Sequence, residues 1–160
     1  IYIELLIKFY CQLLKGHVIV YKIYRLEYMK KILITGCLGF IGFHVTERLK
    51  KKKSFQVYGI DNINNYYNKS HKLKRFEVLK KGSKTFKFTK LDITDHSKLN
   101  KYFRKNKFDY VIHLAAQAGV RYSIENPQTY LKNNIIGFFN VLNLSKELNV
   151  KHLLFASTSS

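Results

Sequence analysis

From residue 29 onward, short runs of β-branched residues alternate with longer amphipathic stretches. That alternation is the pattern of βαβ units and a parallel sheet. Strands are predicted at 31–35, 56–60, 85–89, 110–113 and 152–156, and helices at 40–52, about 70–80, 97–106 and 128–148. The last helix begins beside Pro127, and the residues after Leu148 return the chain to the sheet. Right-handed crossovers then place every strand's carboxyl end on one edge. The expected fold class is α/β, a doubly wound parallel sheet that stops after about the fifth strand. No internal repeat or low-complexity linker divides residues 29–160, which read as one domain.

The first 28 residues break this pattern. They are strongly apolar, yet Glu4, Lys8, Lys15, Lys22 and Arg25 interrupt every candidate spanning segment, so stable membrane insertion is not expected. They also lack the basic start, apolar centre and small-residue cleavage site of a signal peptide. Met29 is the only Met and directly precedes the first strand, so the native domain is expected to begin there. Residues 1–28 then read as an apolar extension, either non-native upstream sequence or a poorly packed appendage. The alternative is an amphipathic helix lying on a membrane surface.

At 160 residues and 46% hydrophobic content the chain can bury a core. The net charge of +19 raises the question of an anionic partner. Of the 29 basic residues only five are Arg, the side chain favoured for bidentate phosphate and base recognition, and no groove-reading motif accompanies the charge. Nucleic-acid binding is therefore not expected. The run 50–53 reads as a solvated helix end, where cations also suit the dipole. Cys11 and Cys37 form neither a disulfide framework nor the paired spacing of a zinc site, so no metal is expected and a reducing cytoplasm fits.

Candidate chemistry begins after the first strand, with Gly36, Gly39 and Gly42 leading into a helix. In a dinucleotide site the first glycine allows a tight turn, the second lets backbone approach the pyrophosphate, and the third lets helix pack on strand. The anion sits on free N–H groups at the positive helix end, here at Phe40 and Ile41. Three glycines alone also occur in ordinary strand-to-helix turns. Asp61 ends the second strand 19 positions beyond Gly42, where a carboxylate accepts hydrogen bonds from the adenosine ribose. Its charge disfavours a 2′-phosphate and so favours NAD over NADP. Asp92 follows the third strand, where the adenine is met, and Leu114, Ala115, Ala116 and Gln117 follow the fourth with small side chains that let backbone lie against a cofactor. The four strand ends agree on a Rossmann-type site for NAD.

Gly36-x-x-Gly39-x-x-Gly42, Asp61-Asn62, Asp92-Ile93, His113-Leu114-Ala115-Ala116 and Ser157-Thr158-Ser159-Ser160 resemble the extended short-chain dehydrogenase/reductases that modify nucleotide sugars. Within them, Gln117-Ala118-Gly119-Val120-Arg121-Tyr122-Ser123 with Glu125-Asn126-Pro127, and Asp61-Asn62-Ile63-Asn64-Asn65-Tyr66-Tyr67, are similar to the UDP-glucuronate 4-epimerases. The resemblance covers residues 29–160 and only the amino-terminal half of such an enzyme.

The resemblance implies NAD as cofactor and a UDP-sugar acid as substrate, with redox epimerisation at C4. It adds Asn62, Asn65, Ile93 and Asn133 to the cofactor site, Asn133 near the nicotinamide ribose, and leaves Asn134 as helix surface. It makes Thr158 the Ser/Thr partner of the sugar 4-oxygen, and Ser159 and Ser160 neutral donors for the uronate carboxylate. Arg121 reads equally as a partner of a sugar acid or phosphate and as a loop-fixing residue. His113 reads as a buried strand-end residue bonded to backbone rather than a general base. Family members pair through helices that include the equivalent of 128–148, which implies a homodimer of the whole enzyme. The Asp-Glu pair that dehydratases need for elimination is replaced here by Ser159 and Ser160, and decarboxylating relatives carry Glu at the second position.

The family's Tyr-x-x-x-Lys pair is not in the sequence: no Tyr is followed four residues later by Lys. The sequence therefore reads as an amino-terminal fragment that does not turn over by itself. Two alternatives stand beside the 4-epimerase: another nucleotide-sugar epimerase or dehydratase, and a non-catalytic NAD-binding remnant.

Overall fold

The computed structural model describes residues 29–157 apart from Tyr67 and Ser83. The expectations for residues 1–28 and for Thr158, Ser159 and Ser160 lie outside the described residues. The chain runs β1 (Lys30–Thr35), α1 (Phe40–Leu49), β2 (Phe55–Asp61), α2 (Lys69–Lys80), β3 (Phe86–Lys90), α3 (His96–Asn106) and β4 (Tyr110–His113). It continues through α4 (Val120–Glu125), α5 (Pro127–Tyr130), a π-helical segment (Leu131–Gly137), α6 (Phe138–Glu147) and β5 (His152–Phe155).

The five strands form one parallel sheet in the order β3-β2-β1-β4-β5. This is a doubly wound Rossmann-type sheet, as the strand and helix pattern predicts. Alternation along β1 divides the core. Ile32 and Ile34 pack with Leu38, Val57 and Leu79 on one face, whereas Leu33 packs with Ile60, Leu99, Phe103, Val111 and Leu144 on the other. A central strand buried on both faces has no solvent side, so its apolar run is continuous. Side-chain caps start two of the helices: Asn68 accepts from Ser70 N before α2, and Asp95 accepts from Lys98 N before α3.

Three local features depart from expectation. α1 ends at Leu49 rather than near 52, and Lys50 is more than a solvated helix end: its ammonium donates to Val78 O and Leu79 O in the last turn of α2. α4, six residues long, was not expected from the pattern. The predicted helix over 128–148 is interrupted by the π-helical segment. There Asn133 Nδ2 donates to Thr129 O, the carbonyl that an α-helical Asn133 N–H would use. A π segment is a wide turn that recurs at functional sites, because it turns side chains an α-helix would leave elsewhere.

Candidate functional site

β1 and β4 lie side by side, but the chain leaves them toward opposite sides of the sheet, opening a crevice at their carboxyl ends. Gly36 makes that meeting possible. Its φ is +68°, and a Cβ there would stand 2.8 Å from Ala115 Cα and Ala115 N. Gly42 lies in the first turn of α1, where a Cβ would stand 2.1 Å from Gly36 O. The helix end thus rests directly on the glycine turn. Gly39 precedes the helix without a side-chain cap, and no acidic residue occupies the first turn. The amino-terminal N–H groups of α1 are therefore left for an anion.

Thr35, wholly buried at the end of β1, ties the two strand exits together. Its hydroxyl accepts from Leu114 N and Ala115 N, each at 3.2 Å, and lies 2.8 Å from His113 Nδ1. With two N–H groups donating to it, the hydroxyl proton is free to go to Nδ1, which leaves the ring proton on Nε2. His113 is a buried strand-end residue as expected, but its partner is this side chain and not backbone.

Burial pushes the His113 imidazole from 6.5 down to about 4, so it is neutral in the fold near pH 7. The unfolded chain takes up this proton near pH 6.5. Stability is therefore complete above that pH and falls progressively as pH drops from 6.5 toward 4, by about 3 kcal/mol in total. His113→Asn is expected to flatten this part of the pH profile of urea unfolding. An unchanged slope would contradict burial as the cause.

On the other side of β1, Asp61 accepts from Leu38 N at 3.3 Å through Oδ2. Its Oδ1 accepts from Ile63 N at 2.8 Å and from the Lys72 ammonium at 2.9 Å. Asp92 receives Asn62 Nδ2 at 3.0 Å, Thr94 N at 2.8 Å and Thr94 Oγ1 at 2.7 Å. Burial pushes its carboxyl up, but these donors outweigh it and hold the group below the usual carboxylate range. Across the crevice, Gln117 N donates to Asn134 Oδ1 at 2.7 Å, and Asn134 Nδ2 donates back to Gln117 O at 2.9 Å. Asn134 is thus a clamp on the exit of β4, not helix surface.

These pieces line an open cleft with about 110 Å³ of free space. Gly36, Gly39, Asp61, Asn62, Ile93, Leu114, Ala115, Ala116, Gln117 and Asn133 line it, joined by Asn64, Tyr66 and Lys72. An adjoining cavity adds Asn65, Asp92, Tyr122 and Lys132. A third, lined by His113, Ala116, Asn134, Phe138, Phe155 and Ser157, extends toward the end of β5.

Other predicted residues stand apart. Phe40 and Ile41 point their side chains to solvent, at 69% and 60% exposure, so only their backbone can serve the cleft. Arg121 is exposed on α4 and lines none of these three cavities. The guanidinium beside the glycine turn belongs instead to Arg75, whose Nη1 donates to Leu38 O and whose plane lies over the Phe40 ring. Neither Lys72 nor Arg75 is distinguishable by spacing from the other basic residues of α2. Among the described residues no helix is long and apolar enough to cross a membrane, and no cluster of three His, Cys, Asp or Glu could hold a metal.

A family model described as GDP-mannose 4,6 dehydratase matches residues 33–160. The chain is 48% identical over 128 residues to a UDP-glucuronate 4-epimerase of Thermodesulfobacterium geofontis, covering 80% of this chain and 39% of the relative. It is 46% identical over 130 residues to Protein CapI of Staphylococcus aureus, covering 81% of this chain and 38% of that protein. Among solved structures, it is similar to the UDP-glucuronic acid 4-epimerase from Bacillus cereus in complex with UDP-glucuronic acid and NAD. The TM-score is 0.73 at 34% identity, over 81% of this chain and 40% of that one. The chain thus spans about two fifths of the length of the relatives it matches.

Proposed function

The chain belongs to the GDP-mannose 4,6-dehydratase family, and from that membership we propose that it forms the NAD-binding part of a nucleotide-sugar 4-epimerase acting on UDP-glucuronate. The observation that carries the reading is the switch-point cleft. There the Gly36 turn, Asp61 and the Ala115-Ala116 strand end converge from three strands. The similarity to a structure holding both NAD and UDP-glucuronic acid supports the choice of cofactor and sugar.

Bound NAD supplies reversible hydride transfer at the sugar carbon. The chain's part is to hold and orient. The first turn of α1 and the Gly36-Gly39-Gly42 backbone hold the pyrophosphate, Asp61 with Asn62 and Asn65 the adenosine ribose, and Asp92 with Ile93 the adenine. Leu114, Ala115, Ala116 and Gln117 give a flat backbone wall against the nicotinamide half, with Asn133 at its ribose. Thr158 holds the proton at the sugar 4-oxygen, and Ser159 and Ser160 bind the carboxylate without the acid and base that elimination requires. Arg121, outside the cleft, is left to an outer phosphate or carboxylate contact.

An exposed apolar stripe of Leu131, Ile135, Phe139 and Leu142 runs along the π segment and α6 and supports pairing of two copies through this helix. Because no Tyr here is followed four residues later by Lys, the chain alone holds cofactor without turnover. The test is the chain continued in its reading frame through a Tyr-x-x-x-Lys pair. Incubated with NAD and UDP-glucuronate it should form UDP-galacturonate, whereas UDP-xylose or a 4-keto-6-deoxy sugar would contradict the assignment.

A further inference from the structure

Every strand of the parallel sheet starts, and α1, α2, α3 and α6 end, at the edge opposite the cleft. The chain's basic runs collect on this amino-end rim: 50–53 after α1, Lys80, Lys81 and Lys84 around the end of α2, Lys105 and Lys107 at the end of α3, and Lys30 opening β1. All but Lys50 are exposed. Hydrogen bonds tie these segments into one surface. Lys50 Nζ reaches Val78 O and Leu79 O, Lys30 N donates to Ser54 O at 2.9 Å, and Lys31 Nζ donates to Asn106 O at 2.8 Å.

The acids of the rim leave most of this charge unmet. Glu47 pairs with Lys51, Glu147 with Arg104 and Asp109 with Lys151, and Glu77 is the one other acid at these helix ends among the described residues. Lys52, Lys53, Lys81, Lys84, Lys105 and Lys107 form no ion pair among the described residues. A cation suits a helix carboxyl end, but one in each last turn meets that need. Crowding more of them costs self-repulsion, which an anionic partner removes.

We propose that this rim is a docking surface for a bilayer carrying anionic phospholipid headgroups. The unpaired charge is supplied by Lys, a compact point charge suited to a diffuse anionic surface, rather than by the Arg fork that reads phosphates singly. The chain also enters β1 at this rim, so the strongly apolar residues 1–28, with Lys8, Lys15, Lys22 and Arg25 among them, adjoin it in sequence. An apolar segment and a polybasic patch reinforce each other at an anionic bilayer. Docking is peripheral and leaves the cleft, at the other end of the strands, open to solution.

The experiment sediments the full chain with vesicles of phosphatidylcholine, alone or with about 30 mol% phosphatidylserine, at about 0.1 M and about 0.5 M salt. Binding should require phosphatidylserine and weaken at least about tenfold at the higher salt. Lys52→Gln, Lys53→Gln, Lys81→Gln and Lys84→Gln together should lower affinity at least about tenfold. Lys69→Gln, Lys74→Gln, Lys90→Gln and Lys101→Gln together remove as much charge from exposed sites elsewhere and should cost less than about threefold. Equal losses would mean that net charge alone acts, and would overturn the proposal. So would equal binding to phosphatidylcholine alone, or tighter binding to a single-stranded RNA that the rim variant abolishes. If a melting curve shows the rim variant unfolded, lysine acetylation of the unaltered chain decides. Phosphatidylserine vesicles should protect Lys52, Lys53, Lys81 and Lys84 while Lys69 and Lys90 go on reacting; uniform protection, or none, overturns the proposal.

Discussion

Gly42→Ala is expected to lower unfolding stability by more than about 3 kcal/mol and to abolish NAD binding. The added Cβ would stand 2.1 Å from Gly36 O, 2.9 Å from Gly36 C and 3.0 Å from Cys37 Cα. All three are backbone atoms, so no rotamer change can relieve the clash. Gly36 cannot retreat either, because its own Cα faces the backbone of Leu114 and Ala115 across the crevice. The first turn of α1 must therefore lift, and the N–H groups meant for a pyrophosphate move with it. Urea unfolding and NAD titration check both halves. A loss under about 1 kcal/mol would mean that α1 does not rest on the glycine turn as described.

Thr35→Val should destabilise the chain by about 3 kcal/mol, although the two side chains have nearly the same shape. The hydroxyl is wholly buried and serves three groups: His113 Nδ1, Leu114 N and Ala115 N. Leu114 N also reaches Thr35 O at 3.2 Å and keeps a partner. His113 Nδ1, which is buried, and Ala115 N, which is partly buried at the cleft, lose theirs, and a buried unpaired polar group costs about 1 to 3 kcal/mol. Thr35→Ser keeps the hydroxyl and should retain most of the network. NAD affinity should fall for the valine variant at temperatures where it is still folded, because the Leu114 to Ala116 wall is no longer tied to β1. Equal stability of the Thr, Ser and Val forms would show that the strand exits are held by ladder hydrogen bonds alone.

Much of this was legible in the sequence because it rests on residue types that work through backbone geometry. β-branched runs mark the strands, and a glycine marks each point where main chains touch, so the turn after β1 and the wall after β4 could be placed from Gly36, Gly42 and Ala115. Asp61 and Asp92 could be placed because a strand end fixes where the following residue points. Side chains that act at a distance were not legible. Lys72 reaches the cleft and Arg75 the glycine turn from α2, a helix remote from both in sequence, and in a chain with 29 basic residues neither stands out. Lys50 is similar: its carbonyl partners lie 28 and 29 positions away.

The inward place of Asn134 has another cause. Helix surface is where α-helical spacing would leave the neighbour of Asn133, and the π segment widens the turn so that both face inward. The partner of His113 was missed because a strand pattern gives neighbours along the chain but not the register of β1 on β4, which pairs Thr35 with His113.

The central claim is that the β1–β4 crevice holds the dinucleotide, and amide-resolved NMR tests it most directly. Titrating NAD into the labelled chain should shift the backbone amides of Gly39, Phe40 and Ile41, of Asp61 and Asn62, and of Leu114 through Gln117. Amides of the last turn of α3, beside the start of β1 and away from the strands' carboxyl ends, should stay in place at the same NAD concentrations. Shifts scattered over lysine-rich surfaces and fading with added salt would mean that the chain binds NAD only as a generic anion, and would contradict the account.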